Sequence, residues 1–262
     1  PMTAGEVIGM ASSHKIKKKC FHPLAGEGEC HGKIIQSHTI SKSGSLKKVA
    51  RNGKVIQFKP TINSLFENDG NFYAEEVGIN QASTFPGFCI KHDKEMFSPI
   101  EDKDFECNEY NSFLLGYRAI TKEIYAKESA IEFIPEMRRL DRGRSVQEQE
   151  YIQRFLNDFQ QGSEWGIRDL KYHKEKYDNA FRKNNYCDSK FYIIRFSNTP
   201  NMLYSGAVYP EYDFNGALLQ RLGSGDRLDH ISVNAISTPS GGCVVFQWME
   251  DSEVNLKFIR SL

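Results

Sequence analysis

The sequence predicts an α+β fold in three parts: an N-terminal Cys/His-rich module, a helical pair and a C-terminal antiparallel sheet. Three observations predict it. Cysteines and histidines cluster in the first part of the chain, ahead of Asp93. Apolar residues recur mostly at three- and four-residue steps over 105–134, and a second helical stretch covers 145–186. From Phe191 the apolar period changes to two. The expected division is a module over 1–104 and a helical-hairpin-plus-sheet domain over 105–262.

At 262 residues, with 39% apolar and 26% charged side chains, the chain is expected to pack as one large domain or two. It contains no run of about 18 apolar residues, so no transmembrane helix is predicted. The opening residues Pro-Met-Thr-Ala-Gly lack a signal-peptide apolar core, and three of the six cysteines lie among histidines. That usage fits metal binding in a reducing, cytoplasmic setting better than a disulfide framework. Net charge is zero but uneven: residues 14–59 hold eleven Lys/Arg against Glu27 and Glu29, or 11 − 2 = +9. A basic segment of this kind suggests a polyanion, nucleic acid being the commonest, or a solvated face, or a partner for the acidic remainder.

Element by element, residues 1–19 read as a loose arm ending in Lys-Ile-Lys-Lys-Lys. Gly32–Gln36 reads as a short strand. Ser41 can cap a short helix carrying Leu46 and Val49 and ending near Asn52-Gly53. Lys54–Phe58 alternates as a half-buried strand. Residues 59–87, rich in Asn, Gly and Pro, read as loop, and a short helix after Cys89 runs toward Pro99. Pro135 is expected to end the first long helix. Ser145 opens the second, with interruptions near Gly162 and Gly166. Tyr192–Phe196, Met202–Tyr209, His230–Ile236, Cys243–Trp248 and Leu256–Ile259 read as strands, separated by turn residues.

The chemistry concentrates in Cys20, His22, Cys30, His31 and His38, and then in Cys89, His92 and Asp93. Zinc takes four tetrahedral donors, and Cys thiolate and His imidazole are its usual suppliers. Cys89 and His92, three apart at a helix start, point the same way. Cys20 and Cys30 supply a first pair across an unusually long loop. The preferred zinc set is therefore Cys20, Cys30, Cys89 and His92, in a treble-clef arrangement. A set of Cys30, His38, Cys89 and His92 is the alternative, as is no metal site at all.

The order Ile-Ile-Gln-Ser-His-Thr-Ile (34–40), a loop, then Cys-Ile-Lys-His-Asp (89–93) resembles the HNH, or ββα-metal, nucleases over residues 20–104. It is also similar to uncharacterised bacterial proteins carrying Cys-x-Gly-x-Ile-Ile-x-x-His-Thr-Ile and Phe-x-Gly-Phe-Cys-x-x-His-Asp. The HNH resemblance implies a nucleic-acid-cleaving protein, of a kind that serves as a bacterial antiviral defence effector. It implies that His38 is the general base, and that Asp93 stands in for a metal-binding His and holds a catalytic Mg²⁺ or Mn²⁺. Asn80 or Asn63 would orient the base. Ser37 occupies a position where the family usually carries a metal ligand. The competing class is a non-enzymatic module with a purely structural zinc, which binds a protein partner or a second copy of itself.

Other residues invite chemistry less strongly. Cys243 with upstream His230 can be drawn as a nucleophilic pair, but Cys-Val-Val-Phe-Gln-Trp reads as a core strand. Cys107 and Cys187 are expected to pack as small apolar groups. Arg138, Arg139, Arg142 and Arg144 read first as an exposed inter-helix loop and second as a phosphate grip.

Overall fold

The computed structural model describes residues 1–13, 17–26, 28–58, 71 and 73–262. The first ordered element corrects the loose-arm expectation, because Ala4–Ser13 forms helix α1. A capping box starts it: the Glu6 amide reaches Thr3 Oγ1 at 3.3 Å, and the Glu6 carboxylate accepts from the Thr3 amide at 2.7 Å. Lys15 and Ile16 of the basic run, and Asn63, lie outside the described residues.

Strand β1 (Ile34–His38) follows, then a π-type turn over Lys42–Leu46 and a single helical turn α2 (Lys47–Val49). Ser41 caps this stretch as expected, accepting from the Gly44 amide at 3.1 Å. Strands β2 (Lys54–Phe58) and β3 (Ala74–Gly78) form an antiparallel ribbon. Strand β4 (Thr84–Cys89) pairs antiparallel with β1 and leads directly into helix α3 (Ile90–Glu101). β3 and β4 fall inside the stretch read as loop. They form because Val77 and Phe85-Pro-Gly-Phe-Cys are buried, which the flanking Asn and Gly residues obscure.

Helix α4 (Glu109–Met137) is the spine of the molecule. Asn108 caps it, accepting from the Asn111 amide at 2.8 Å. Residues 111–121 are buried on every side, as befits a helix wedged between layers. Contrary to expectation, α4 runs past Pro135 to Met137. A proline this near a helix end removes only one late hydrogen bond, and buried Ile134 holds the turn in place. Helix α5 (Val146–Lys183) begins at a full capping box of Ser145 and Glu148 and ends at Asn184 in the left-handed region. It too is uninterrupted. Gly166 is tolerated because the Lys127 side chain crosses directly over it.

Strands β5 (Ser189–Phe196), β6 (Tyr204–Val208), β7 (Ile231–Thr238) and β8 (Gly241–Met249) make an antiparallel sheet of order β5-β8-β7-β6. Its inner face, including Ile236, Cys243 and Val245, joins Phe113, Leu114 and Tyr117 of α4 in one buried cluster. Phe88, Met96 and Phe97 belong to the same cluster, so the core crosses the expected boundary at residue 104. The segment read as a fifth strand is instead helix α6 (Glu253–Arg260), capped by Ser252. Phe258 and Ile259 of α6 cover the outer face of the sheet beside Phe246 and Trp248. Three apolar residues among four, Leu-Lys-Phe-Ile, cannot by themselves distinguish strand from helix.

Candidate metal centre

Three separate stretches of backbone converge at the β4–α3 junction. The first carries Cys20. The Phe21 amide donates to the Gly87 carbonyl at 2.9 Å, which lays residues 20–22 beside β4. The acceptor sits in a bulge: between Ile35↔Phe88 and Ser37↔Phe85, β4 spends one residue more than β1. Pro86, with no amide to donate, and Gly87, whose missing Cβ makes room for the Phe85 ring, suit that irregularity. Tyr117 donates its hydroxyl proton to the Phe21 carbonyl at 2.6 Å, and Arg182 donates to the Pro23 carbonyl at 2.5 Å. Helices α4 and α5 thus hold the Cys20 loop from behind.

The second stretch carries Cys30. Gly32 turns the chain at φ +76°, against the Ile90 side chain, and the Ile90 amide donates to the Lys33 carbonyl at 3.2 Å. Lys91 of α3 pairs with Glu29 at 2.8 Å, next to the ligand position. The third stretch is the start of α3 itself. Cys89 is its N-cap and His92 lies in its first turn, so both side chains point into the same space.

The donor atoms of Cys20, Cys30, Cys89 and His92 all lie within 4.8 Å of one another. Cys20 Sγ is 3.4 Å and Cys30 Sγ 3.7 Å from His92 Nδ1. Tetrahedral zinc with Zn–S near 2.3 Å and Zn–N near 2.05 Å requires an S···N edge of about 3.6 Å. The donor set and its spacing therefore fit a metal ion such as zinc. Three thiolates around a dication leave one net negative charge, which suits the nearby cations Lys91, Lys174 and Arg182. All four residues are those the sequence selected. Among the described residues, this is the one cluster of three or more such donors.

The site is graded electrostatically. Burial pushes the Cys20 thiol up to about 12, against the lowering effect of the Cys89 and His22 amides. Burial also opposes ionisation of Cys89. There the His92 and His31 amides and the Cys20 and Cys30 thiols together outweigh it and hold the thiol below its ordinary value. A cysteine at a helix N-terminus commonly has this character.

The other sequence candidates fall in different places. His22 lies behind the cluster, stacked on His92, a role that only the Cys-x-His spacing of residues 20–22 hints at. The His31 side chain is exposed, and its contribution is through the backbone. His38 is outside the four-donor group, which removes it as a zinc ligand. It stands opposite Thr84, four register positions from the Ile34↔Cys89 pair. Its Nε2 lies 2.9 Å from the Ile79 carbonyl, which can only accept, so Nε2 carries the proton and Nδ1 the lone pair. The orienting group is thus the carbonyl beside Asn80, not the exposed Asn80 side chain. Asp93 follows His92 in the first turn of α3, and its buried Oδ1 has no hydrogen-bond partner. Ser37 Oγ is likewise buried and unpartnered.

Cys243 is a core residue of β8, as expected, and Cys107 packs against the same cluster, but Cys187 is exposed. Arg138 donates to Gln153, Asn157 and Gln160, and Arg139 and Arg144 pair with Glu136 and Glu148, so these arginines tie the α4–α5 turn together. No described helix is long and apolar enough to cross a membrane. The chain matches no protein-family model, and neither curated proteins nor solved structures yield a match to it.

Proposed function

We propose that this chain is a zinc-stabilised nucleic-acid-binding protein. In this reading Cys20, Cys30, Cys89 and His92 hold a structural zinc in a treble-clef-like module, and the basic segment supplies the phosphate contacts. The convergence of these four donors within 4.8 Å at the head of a strand–strand–helix unit carries the reading. The zinc would tie the Cys20 and Cys30 loops to the start of α3 and so fix the surface on which the cations sit. Lys33, Lys42, Lys47 and Arg51 are exposed and have no ion-pair partner among the described residues. Lys19, Lys54 and Lys48, by contrast, are engaged with Glu128, Glu76 and the Thr238 carbonyl.

A second reading, phosphodiester cleavage, is favoured by one observation. The Ile79 carbonyl fixes the His38 tautomer with Nδ1 free to take a proton from water. A divalent cation on Asp93 would supply charge stabilisation at the scissile phosphate.

Fluorescence anisotropy with labelled single- and double-stranded DNA and RNA tests the first reading. Binding should weaken with salt, and a Lys42→Ala/Lys47→Ala/Arg51→Ala triple variant should bind more weakly and with a shallower salt dependence. Absence of binding to all four probes at low salt would reject it. Cleavage in Mg²⁺ or Mn²⁺ by wild type, lost in His38→Ala with zinc content intact, would establish the second reading.

A further inference from the structure

The C-terminal half of α5 buries Asp169, Leu170, His173, Tyr177 and Ala180. Tyr177 reaches Gln247 of β8 at 2.5 Å, and the His173 ring lies 4.5 Å from that of His230 beside the sheet. Steps of seven residues back from Ala180 reach His173, Gly166 and Phe159, and steps of seven back from Asp169 reach Gly162 and Phe155. Phe155 and Phe159 therefore lie on the same helical face that packs into the core further along. Tyr151 extends the stripe by one more turn.

Here the face is uncovered. Tyr151 is 72%, Phe155 57% and Phe159 40% exposed, and the rings of Phe155 and Phe159 lie 6.3 Å apart at 13°. Three aromatics in a row on the outside of a helix form an apolar stripe on the order of 300 Å². That is the size of the largest apolar patch on many monomeric proteins, a patch that is often functional.

We infer that this stripe is a homodimer interface, in which two α5 helices pack antiparallel about a twofold axis at Phe155. The stripe is self-complementary in that arrangement. Tyr151 of each copy meets Phe159 of the other, and the two Phe155 rings meet at the axis. Charge fits the same register. Leu156 is buried on one flank of the stripe, and Arg154 and Asp158 occupy the other. Neither has an ion-pair partner among the described residues. About the twofold, Arg154 of each copy lies two positions along from Asp158 of the other, and its side chain, which leans toward the N-terminus of its own helix, reaches toward that carboxylate, which gives two reciprocal ion pairs beside the aromatic seam. Two such stripes together are on the order of 600 Å², below the about 1,200 Å² at which specific stable interfaces begin, which implies a weak dimer that dissociates on dilution.

Sedimentation equilibrium of the zinc-loaded full chain, from about 1 to about 200 µM, tests this inference. Wild type should move from monomer to twice the monomer mass. Phe155→Glu should weaken association by at least about tenfold with unchanged circular dichroism. Arg154→Glu alone should also weaken it, and Arg154→Glu/Asp158→Arg should restore it, because the swap rebuilds the reciprocal pairs with the signs exchanged. The swap keeps the test decisive even where the Phe155 variant folds poorly. A wild type that stays monomeric throughout would overturn the inference, as would a dimer indifferent to Phe155→Glu or a charge swap that restores nothing.

Discussion

His22 and His92 stack face to face, with ring centroids 3.8 Å apart and planes 8° from parallel. The Leu24 amide donates to His22 Nδ1 at 3.2 Å, and the Phe181 ring meets His22 edge-on at 5.0 Å, so the outer ring is fixed on both sides. Burial, reinforced by the charges of Lys174, Lys91 and Arg182, lowers the His22 pKa to about 3. A neutral imidazole can lie flat on His92 without charge repulsion. His22 thus sets the plane of the candidate ligand ring of His92, although it lies outside the four-donor group.

The stack predicts a graded response to substitution. His22→Ala should lower zinc affinity about tenfold in a chelator competition, the low end for residues that orient ligands. His22→Phe should retain most of the affinity, because an aromatic face remains. Equal losses in the two variants would show that the ring contact is irrelevant.

Two helix glycines should respond to alanine with opposite signs. A methyl on Gly116 would overlap Gln247 Oε1, which accepts the Tyr177 hydroxyl proton at 2.5 Å in the middle of the core. Gly116→Ala should destabilise by about 2–3 kcal/mol, outweighing a helix-propensity gain of about 1 kcal/mol. Gly162 faces open space, so Gly162→Ala should stabilise by up to about 1 kcal/mol. Urea denaturation measures both.

A buried histidine sets an acid limit on the fold. Neither His230 nitrogen has a partner, and burial, with the charge of Lys176, drives its pKa well below the ordinary value. His173 is lowered as well, first by burial, although its bond to the Leu228 carbonyl opposes this. Both are neutral when folded and take up protons on unfolding below about pH 6.5. The stability they allow is complete above that pH and falls below it, by up to about 1.4 kcal/mol per pH unit for each group. The candidate metal ligands also bind protons in acid, so the diagnostic quantity is the difference between wild type and His230→Phe. The variant should show the shallower loss of stability between pH 7 and pH 5 in urea titrations.

Much of this architecture is legible from residue patterns. The long periodicities around Phe113–Ile124 and after Ser145 mark α4 and α5, and the period of two after Phe191 marks the sheet. The four metal-ligand candidates are legible because zinc chemistry restricts donors to few residue types, and because Cys89 and His92 share a helix start. Local pattern fails where distant contacts decide the outcome. Leu256–Ile259 looks strand-like, but Ser252 caps it into a helix that packs on Trp248. Pro135 and Gly166 look like breaks, but packing carries the helices through them. The His22 stack depends on a bond from Phe21 to Gly87 and another from Tyr117 to the Phe21 carbonyl, neither of which has a local signature.

X-ray absorption at the zinc edge, on purified chain, is the most direct measurement of the metal centre. One zinc per chain is expected, with three sulfurs at about 2.3 Å and one nitrogen at about 2.0 Å, and Cys30→Ser should lose zinc or a sulfur neighbour. A chain that binds no zinc, or a zinc whose shell is unchanged in Cys30→Ser, would contradict the assignment of Cys20, Cys30, Cys89 and His92 as its ligands.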